Sequence, residues 1–468
     1  MALLAALACV GSLALAGLVL LLHVVSVVAL LTWAVLIAIA WQPRVGLLVA
    51  FGLVLLFEAG NADQMMLPGA YLHGGLSSTV GIPGVIASPL ELLLILTFLA
   101  WVAQAVARRR FDLRGGRLWW PMASFFLALV FGLARGMIGG GNLNVALWES
   151  RFLFYTVICY VVAANTIRTR RQVRLLNAIA LVTMSLFAVE GVYRRLALID
   201  TGRLGVIPEF AYSHEDVIFL GSLLLLILAQ QIFGAPFWQR FFGLLAVPAA
   251  VFTLLASERR AGYIAAAMAF LALSVVLLAA HRKAFFLIAV PLLIGGAIYL
   301  PLFWNNTGML GQPARAIRSL SQPDPRDAAS NLYRELEKIN VRATIQANPL
   351  LGVGFGRPFL FVVGLPDLSW WPFWRYEPHH NILWVWLKTG ALGFIAFWIL
   401  IGSALARAAH LAKQLRAPEL RVFAVLALTG LVSTLVFCYV DLGLVHGRVT
   451  VFLGTTLGVL AVLDQIHE

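Results

Sequence analysis

The chain has 468 residues, of which 61% are hydrophobic and only 12% are charged, and its mean hydropathy is +0.91. Soluble proteins have about 45–50% apolar and about 25% charged residues, so this composition excludes a soluble globular protein. Long continuous apolar runs also exclude a membrane β-barrel, whose strands alternate in polarity. The net charge of +13 would suggest nucleic acid in a soluble protein, but in a membrane protein we expect no nucleic-acid partner.

Apolar runs recur along the chain and predict an all-α polytopic membrane protein. Because a helix needs about 20 apolar residues to cross a bilayer, the runs leave room for about 12 to 14 spans. The first run lacks the basic segment of a secretory signal and is expected to be retained. The first three runs are short and crowded, so two helices and a re-entrant piece are an alternative there. The predicted helices cover residues 2–22, 24–41, 45–59, 89–107, 118–138, 148–166, 173–193, 215–233, 240–256, 260–280, 284–304, 381–405, 421–440 and 448–466.

Basic residues gather in four short loops, near residues 108–117, 168–174, 282–283 and 407–421. The positive-inside rule assigns these loops to the cytoplasm. The segments expected to face outward are residues 60–88, 139–147, 194–214, 257–260, 305–378 and 441–447. We divide the chain into an N-terminal transmembrane bundle (1–304), a long outward loop (305–378) and C-terminal transmembrane helices (379–468).

The outward loop is predicted to contain an amphipathic helix over Asp327–Asn348. Apolar residues recur at helical spacing on one side of this segment, opposite a charged side. The Asn348-Pro349 pair ends the helix, and a glycine-rich turn follows up to Gly356. The aromatic residues that come next favour the membrane interface, with a sugar-stacking platform as the alternative. They are Trp370, Trp371, Phe373, Trp374 and Tyr376.

The first candidate for a catalytic site on the outward side is the segment Glu377–Asn381, which contains a pair of histidines. Pro378 suits a first helical turn, so His379 and His380 would lie over a helix N-terminus, where the helix dipole disfavours the imidazolium form. A neutral imidazole is what a general base requires. The alternative is an interfacial pair that only caps the helix.

An arginine pair, Arg259 and Arg260, forms the second candidate, within Ser257–Gly262. Charges between two long apolar runs are costly, so they need partners or a ligand. An arginine fork binds phosphate oxygens in bidentate fashion and stays charged. The alternative is a snorkelling helix end with Glu258 as local partner.

The third candidate runs from Arg203 to Asp216 and contains a His-Glu-Asp sequence at residues 214–216. Consecutive helical residues point in different directions, so at most two could share a metal ion, which is too few for a catalytic metal site. Capping by Ser213 explains most of this segment, and His214 keeps a minor supporting role. The three cysteines, Cys9, Cys159 and Cys438, are too far apart for a metal cluster, so we expect no metal site.

Several of these motifs together resemble a known family. The run from Arg342 to Gly356, the later His380-Asn381 and the segment Gly390–Gly393 are similar to the signature of the O-antigen ligase and O-antigen polymerase superfamily. The Ser257–Gly262 segment resembles that family's arginine-containing helix start. The long outward loop before the last three helices also fits its architecture.

The resemblance implies an inverting glycosyltransferase of the bacterial inner membrane that needs neither metal nor cofactor. It would act at the periplasmic face on a glycan carried by undecaprenyl diphosphate. By position, His380 would be the essential histidine, and Arg260 and Arg203 would bind the donor, with Arg259 able to replace Arg260. Further supporting roles are open for His379, His214, Arg342, Lys388 and Asn381. The family often has a glutamate where this chain has Lys388, which instead is expected to reach toward a phosphate.

The acceptor is expected to be lipid A core, as for an O-antigen ligase. The alternative is an O-antigen or exopolysaccharide polymerase, which uses the same donor but another lipid-linked glycan as acceptor. A lipid-linked glycan flippase or secondary transporter is a third class, since such proteins carry ionisable groups at mid-bilayer. Glu190 and Lys388 are the residues here that could serve in that way, and no internal repeat is visible.

Overall fold

The computed structural model describes residues 24–58, 72–75, 87–109, 113–201 and 213–466. Within these ranges the fold is all-helical, without strands, as predicted. Eleven helices in the described part are long and apolar enough to cross a membrane. Two shorter apolar helices, Leu30–Trp41 and Pro43–Leu56, precede them. The predicted helix 2–22 lies outside the described residues, and the chain is a polytopic membrane protein.

The helices follow the predicted runs closely, with ends that differ by a few residues in most cases. In chain order they are α1 (Val24–Trp41), α2 (Pro43–Leu56), α3 (Pro89–Ala107), α4 (Trp119–Ile138), α5 (Leu143–Thr166), α6 (Arg170–Tyr193), α7 (Asp216–Phe233), α8 (Phe237–Ala256), α9 (Arg260–Ala280), α10 (Arg282–Phe303), α11 (Gln312–Arg318), α12 (Pro325–Ala347), α13 (Asn381–Gln414), α14 (Pro418–Val440) and α15 (Gly447–Val462).

The centre of the bundle is formed by α7, α14 and α15, which are buried along most of their length, whereas α10 lies at the periphery. Glycines allow α15 to pack closely against α5. A Cβ atom at Gly454 would lie 2.4 Å from the carbonyl oxygen of Thr156, and one at Gly458 would lie 2.4 Å from that of Tyr160. Small residues at helix contacts are typical of membrane bundles, where dispersion contacts replace the hydrophobic effect.

Helix α13 is broken at Gly390, and the glycine-rich turn after α12 fits into the break. Gly390 has φ 71° and ψ −174°, which interrupts the helix about three turns below the histidine pair. The backbone N–H of Val353 donates to the carbonyl oxygen of Leu387 (2.8 Å), and that of Phe355 donates to the carbonyl oxygen of Gly132 on α4 (3.1 Å). These hydrogen bonds attach the glycine-rich turn to α4 and α13, and the turn thereby holds the segment that leads to the histidines.

The connections that carry the candidate residues all lie at one end of the bundle, because consecutive spans alternate in direction. The basic loops lie at the opposite end, where Arg117 and Arg407 both contact Asp464, at 3.3 and 2.5 Å. At the candidate end, α12 lies over the bundle. Glu337 on its inner face is 1% exposed, whereas Leu332 on its outer face is 60% exposed. The apolar stripe of α12 thus points away from the protein.

Candidate active site

Two adjoining cavities lie between α12 and the ends of the spans. The first, of about 300 Å³, contains both arginines of the Ser257–Gly262 segment, and we call it the cationic cavity. The second, of about 330 Å³, contains His379 and His380, and we call it the histidine cavity. Both are lined by Asn331, Arg334 and Val440, which form a shared wall. The structure therefore brings two of the three sequence candidates next to each other, and His214 of the third candidate also lines the cationic cavity.

The cationic cavity is lined by more positive than negative side chains. Three carboxyl groups line it, those of Glu258, Asp327 and Asp441. Five arginines face them: Arg259, Arg260, Arg315, Arg326 and Arg334. Guanidinium groups stay charged and bind phosphate oxygens in bidentate fashion, so this excess of positive charge favours an anion.

Arg260 is the first residue of α9, and its guanidinium group reaches across to α11 and α12. It donates to Ser319 Oγ (3.2 Å) and Asn331 Oδ1 (3.3 Å), and its Nη2 lies 3.3 Å from Asp327 Oδ1. Glu258 is not its partner, because Glu258 turns away with φ 52° and pairs with Arg195 at 3.5 Å. The snorkelling alternative, with Glu258 as local partner, therefore does not describe Arg260. Arg259 also lines the cavity, so the structure does not choose between the two arginines.

Asp441, in the loop between α14 and α15, contacts a histidine and an arginine at the cavity wall. His214 Nδ1 lies 2.8 Å from Asp441 Oδ2, and Arg334 Nη2 lies 3.7 Å from the same oxygen. Burial alone would raise the pKa of Asp441, but the hydrogen bond and charge of His214, with His379 and Arg334, hold it well below the usual range. Asp441 is therefore ionised and fixes the position of Arg334.

In the histidine cavity, His380 is 8% exposed and is the N-cap residue of α13. Its Nδ1 accepts a hydrogen bond from the backbone N–H of Leu383 (3.3 Å). Burial, reinforced by the positive charges of Lys338 and Arg342, lowers the pKa of His380 to about 4. The neutral imidazole expected at this helix start is therefore supported by its surroundings.

His379 has a different partner, the buried carboxylate of Glu337 on α12. Its Nδ1 lies 3.2 Å from both carboxylate oxygens, and its backbone N–H donates to Oε2 (2.7 Å). Burial alone would lower the pKa of His379, but the hydrogen bond and charge of Glu337 raise it above the ordinary histidine value. Glu337 thus both positions and electrostatically supports the ring.

Three supporting candidates lie outside both cavities. Lys388 is fully buried, pairs with Glu149 at 2.7 Å and donates to the carbonyl oxygen of Arg357 (2.7 Å). The expectation that Lys388 reaches toward a phosphate is wrong, because its ammonium group is already paired with Glu149 inside the bundle. Asn381 connects the start of α13 to the loop before α15, because its Oδ1 accepts from the backbone N–H of Leu444 (2.7 Å). Arg342 is exposed on α12, and its positive charge lowers the pKa of His380.

The third candidate segment is only partly described. Arg203 lies outside the described residues. The residues of the His-Glu-Asp run point in three directions, as expected: His214 toward Asp441, Glu215 toward His446, and Asp216 toward Arg448. Capping by Ser213 is wrong, because the N-cap residue of α7 is Glu215 and the hydroxyl of Ser213 donates to Glu58 Oε1 instead. Among the described residues, no three His, Cys, Asp or Glu side chains form a group that could hold a metal ion.

The aromatic run after the glycine-rich turn forms a packed layer around the histidine pair. The Phe373 ring stacks on Trp148 of α5 with ring centroids 5.3 Å apart, and Trp371 contacts the His379 ring edge-on. Trp370 is largely exposed. Phe373 and Trp371 therefore pack within the protein. Trp370 is exposed, as expected for a residue that anchors the protein at the membrane interface.

Comparison with known families gives one match. Residues 242–398 match the family model described as O-antigen ligase, so the resemblance read from the motifs is confirmed over this segment. The matched segment includes α9, all of α12 and the histidine pair, but ends before Asp441. No curated protein compared with the chain matches it significantly.

Proposed function

From the premise that the chain carries an O-antigen ligase domain at residues 242–398, we propose that it is an inverting glycosyltransferase. Its donor is a glycan linked to undecaprenyl diphosphate, and its acceptor is lipid A core. One observation carries the proposal: a cavity rich in arginines shares a wall with a cavity that contains two histidines. Glycosyl transfer from a lipid diphosphate needs both kinds of group, side by side.

The cationic cavity binds the diphosphate. When the bond between the anomeric carbon and the phosphate oxygen breaks, negative charge develops on the departing diphosphate. Arginines held in fixed positions stabilise that charge without reorganisation, and Arg260, Arg259 and Arg334 are the groups we assign to it. Arg203 is a further expected ligand from the sequence. Because these cations can neutralise the diphosphate, the reaction is proposed to need no metal ion.

The histidine cavity holds the acceptor hydroxyl. A neutral imidazole beside the anomeric carbon takes the hydroxyl proton as the new glycosidic bond forms. Attack from the side opposite the diphosphate inverts the configuration at the anomeric carbon. Arg334 and Asn331, which line both cavities, border the place where the anomeric carbon would lie between the leaving group and the nucleophile.

The site is proposed to face the periplasm from the bacterial inner membrane. The basic loops lie at the opposite end of the bundle, where the positive-inside rule predicts the cytoplasm. The outward apolar stripe of α12, which includes Leu332 and Ile339, fits a helix that lies at the lipid headgroups. A lipid-linked donor could then reach the cationic cavity from the same leaflet.

The experiment is glycan transfer by the purified protein in lipid nanodiscs. The donor is an undecaprenyl diphosphate-linked glycan, and lipid A core and a second lipid-linked glycan are supplied separately, each with and without EDTA. Transfer to lipid A core in EDTA is the expected result. Elongation on the carrier lipid would instead establish the polymerase alternative, since donor and chemistry are shared.

Two outcomes would contradict the proposal. If EDTA abolished transfer and Mg²⁺ restored it, the metal-free diphosphate site would be wrong. If neither acceptor received glycan, while labelled lipid-linked glycan crossed the bilayer of proteoliposomes, the protein would be a flippase.

A further inference from the structure

The two neighbouring histidines use the same ring nitrogen in opposite ways. In His380, Nδ1 faces the backbone N–H of Leu383, which can only donate. In His379, Nδ1 faces the carboxylate of Glu337, which can only accept when it is ionised. The partner of a histidine nitrogen decides where its proton lies, so these contacts assign a tautomer to each ring.

His380 is the poorer proton acceptor of the two. Because Nδ1 must be unprotonated to accept from Leu383, the proton of the neutral ring lies on Nε2. A second proton would have to enter at Nδ1 and would break the N-cap bond of α13. It would also place a cation at a helix N-terminus beside Lys338 and Arg342. The Nε2–H group of His380 can therefore donate a hydrogen bond to a ligand in the cavity, but it cannot take a proton from one.

His379 has the complementary arrangement. Its Nδ1–H donates to Glu337, so Nε2 carries a lone pair, and Nε2 takes part in none of the hydrogen bonds that hold the ring. The ring lines the histidine cavity. Glu337 is 1% exposed, so its charge is poorly screened and stabilises the imidazolium that forms when Nε2 is protonated. A base held in its correct tautomer by a buried carboxylate is a recurring catalytic arrangement.

We infer that His379, held by Glu337, is the general base of the transfer reaction, and that His380 donates a hydrogen bond to the acceptor. The inference rests on the proposed transferase function. The acceptor oxygen forms a bond to the anomeric carbon, and the bond from that carbon to the diphosphate oxygen breaks. The acceptor proton passes to Nε2 of His379, and the electron pair leaves with the undecaprenyl diphosphate in the cationic cavity.

Charged and titratable groups from two elements face His379. On α12 these are Glu337, Tyr333 and Arg334, and on the loop between α14 and α15 it is Asp441. The carboxylates outweigh the single arginine, so the pKa of His379 is raised. A base with a raised pKa loses activity as the pH falls through that pKa. Removing the charge of Glu337 lowers the pKa, so the acidic limb of the pH–rate profile moves to lower pH.

The test compares glutamine substitutions of the two histidines in the nanodisc assay. Glutamine retains an amide N–H near the position of Nε2 but cannot act as a base. General-base catalysis contributes about 10² to 10⁴ in rate, so H379Q should lose at least about 100-fold. H380Q keeps a donor and should lose about tenfold or less, the value of one hydrogen bond. Added imidazole should restore part of the rate of H379A but not of H380A.

The positioning role of Glu337 is tested by the pH–rate profile of E337Q, which should show its acidic limb at lower pH than the wild type. D367N is the matched control, because Asp367 is an exposed carboxylate that accepts from the N–H of Ser369 away from both cavities. Its acidic limb should coincide with that of the wild type. Each variant is first checked for an unchanged unfolding temperature.

The outcomes separate this inference from the proposed function. A wild-type protein that transfers no glycan overturns the proposed function and the inference together. A wild-type transferase whose H379Q variant keeps its rate, or whose acidic limb disappears in H380Q and not in H379Q, overturns the inference alone. An acidic limb that does not move in E337Q shows that Glu337 has only a structural role.

Discussion

Single residues at this site are held by partners that lie far away in the chain, and Arg260 is the clearest case. Its guanidinium group connects the start of α9 to Ser319, Asn331 and Asp327. The planar fork makes these contacts in several directions at once. An ammonium group carries the same charge but cannot reproduce the fork.

Arg260→Lys should therefore lose transfer by at least about tenfold, since one hydrogen bond to a charged group is worth about 1.5–3 kcal/mol. The measurement is the initial rate at saturating acceptor with the donor concentration varied. Arg318→Lys is the control, because Arg318 binds the carbonyl oxygen of Trp304 and lines neither cavity. Equal losses in both variants would show that Arg260 acts on the fold and not on the donor.

The ion pair of Lys388 and Glu149 gives a second prediction. Both side chains are 0% exposed, so Lys388→Met leaves an uncompensated carboxylate inside the bundle, at a cost of about 3–5 kcal/mol. The unfolding temperature in detergent, followed by tryptophan fluorescence, should fall clearly. Lys413→Met, at an exposed position of α13, should leave it unchanged.

A double-variant cycle tests whether the pair itself is responsible. Adding Glu149→Gln to Lys388→Met removes the stranded charge and should recover part of the lost stability, because glutamine can still accept from the N–H of Gly356. A double variant that is less stable than Lys388→Met alone would contradict this explanation.

The residues found from the sequence are those whose local pattern is unusual. Arg260 lies between two apolar runs, and His380 precedes one, so each stands out without knowledge of its partners. Glu337 and Asp441 were not identified as site residues, because their histidine partners are 42 and 227 positions away in the chain. A charged residue on an amphipathic helix is usually solvated, and nothing local distinguishes Glu337 from exposed Glu335.

At the scale of elements, the glycine-rich turn is what connects the loop to the spans. Gly354 has φ 86°, and a Cβ atom there would lie 2.2 Å from the backbone nitrogen of Gly136 on α4. The turn also meets the break in α13 at Gly390. Because the histidine pair follows this turn and precedes the break, its position depends on both contacts.

Gly354→Ala should therefore displace the turn and abolish transfer, since both the backbone conformation and the space exclude a side chain. The measurement is transfer activity together with limited proteolysis of the loop, which should become faster. Gly364→Ala is the control, because an added Cβ at that position meets no atom within 4 Å. A fully active Gly354→Ala protein would show that the turn does not position the histidines.

The elements themselves were largely predictable, because apolar runs bounded by basic loops determine where spans lie. The predicted end of α13 at residue 405 was wrong, since the helix continues to Gln414. Its polar last turns, with Arg407 and Lys413, look like loop in a hydropathy pattern. The break at Gly390 was also not predicted, because it depends on a turn from another part of the chain.

For the whole molecule, the arrangement implies a fixed orientation in the membrane. The two cavities and α12 lie at one end, and the basic loops lie at the other. Two ion pairs with little exposure lie at the same end of the bundle as the cavities, Arg194 with Glu58 (2.6 Å) and Arg151 with Glu91 (3.1 Å). Such pairing allows this end of the bundle to carry charges at membrane depth.

Orientation can be checked by thiol labelling in intact cells of a variant without Cys9. A cysteine at Ser321, exposed beside the cationic cavity, should react with a membrane-impermeant maleimide. A cysteine at Gln414, exposed at the basic end, should react only after the membrane is permeabilised. The reverse pattern would place the site in the cytoplasm and contradict the proposed periplasmic reaction.

The assignment of the donor to the cationic cavity and of the acceptor to the histidine cavity is tested most directly by a cryo-EM structure. The structure would be that of the protein in a nanodisc with undecaprenyl diphosphate bound. The two phosphates should lie in the cationic cavity, within hydrogen-bond distance of Arg260, and the histidine cavity should remain open to an acceptor. Phosphates bound among His379 and His380, or at a place away from both cavities, would contradict the assignment of donor and acceptor sites.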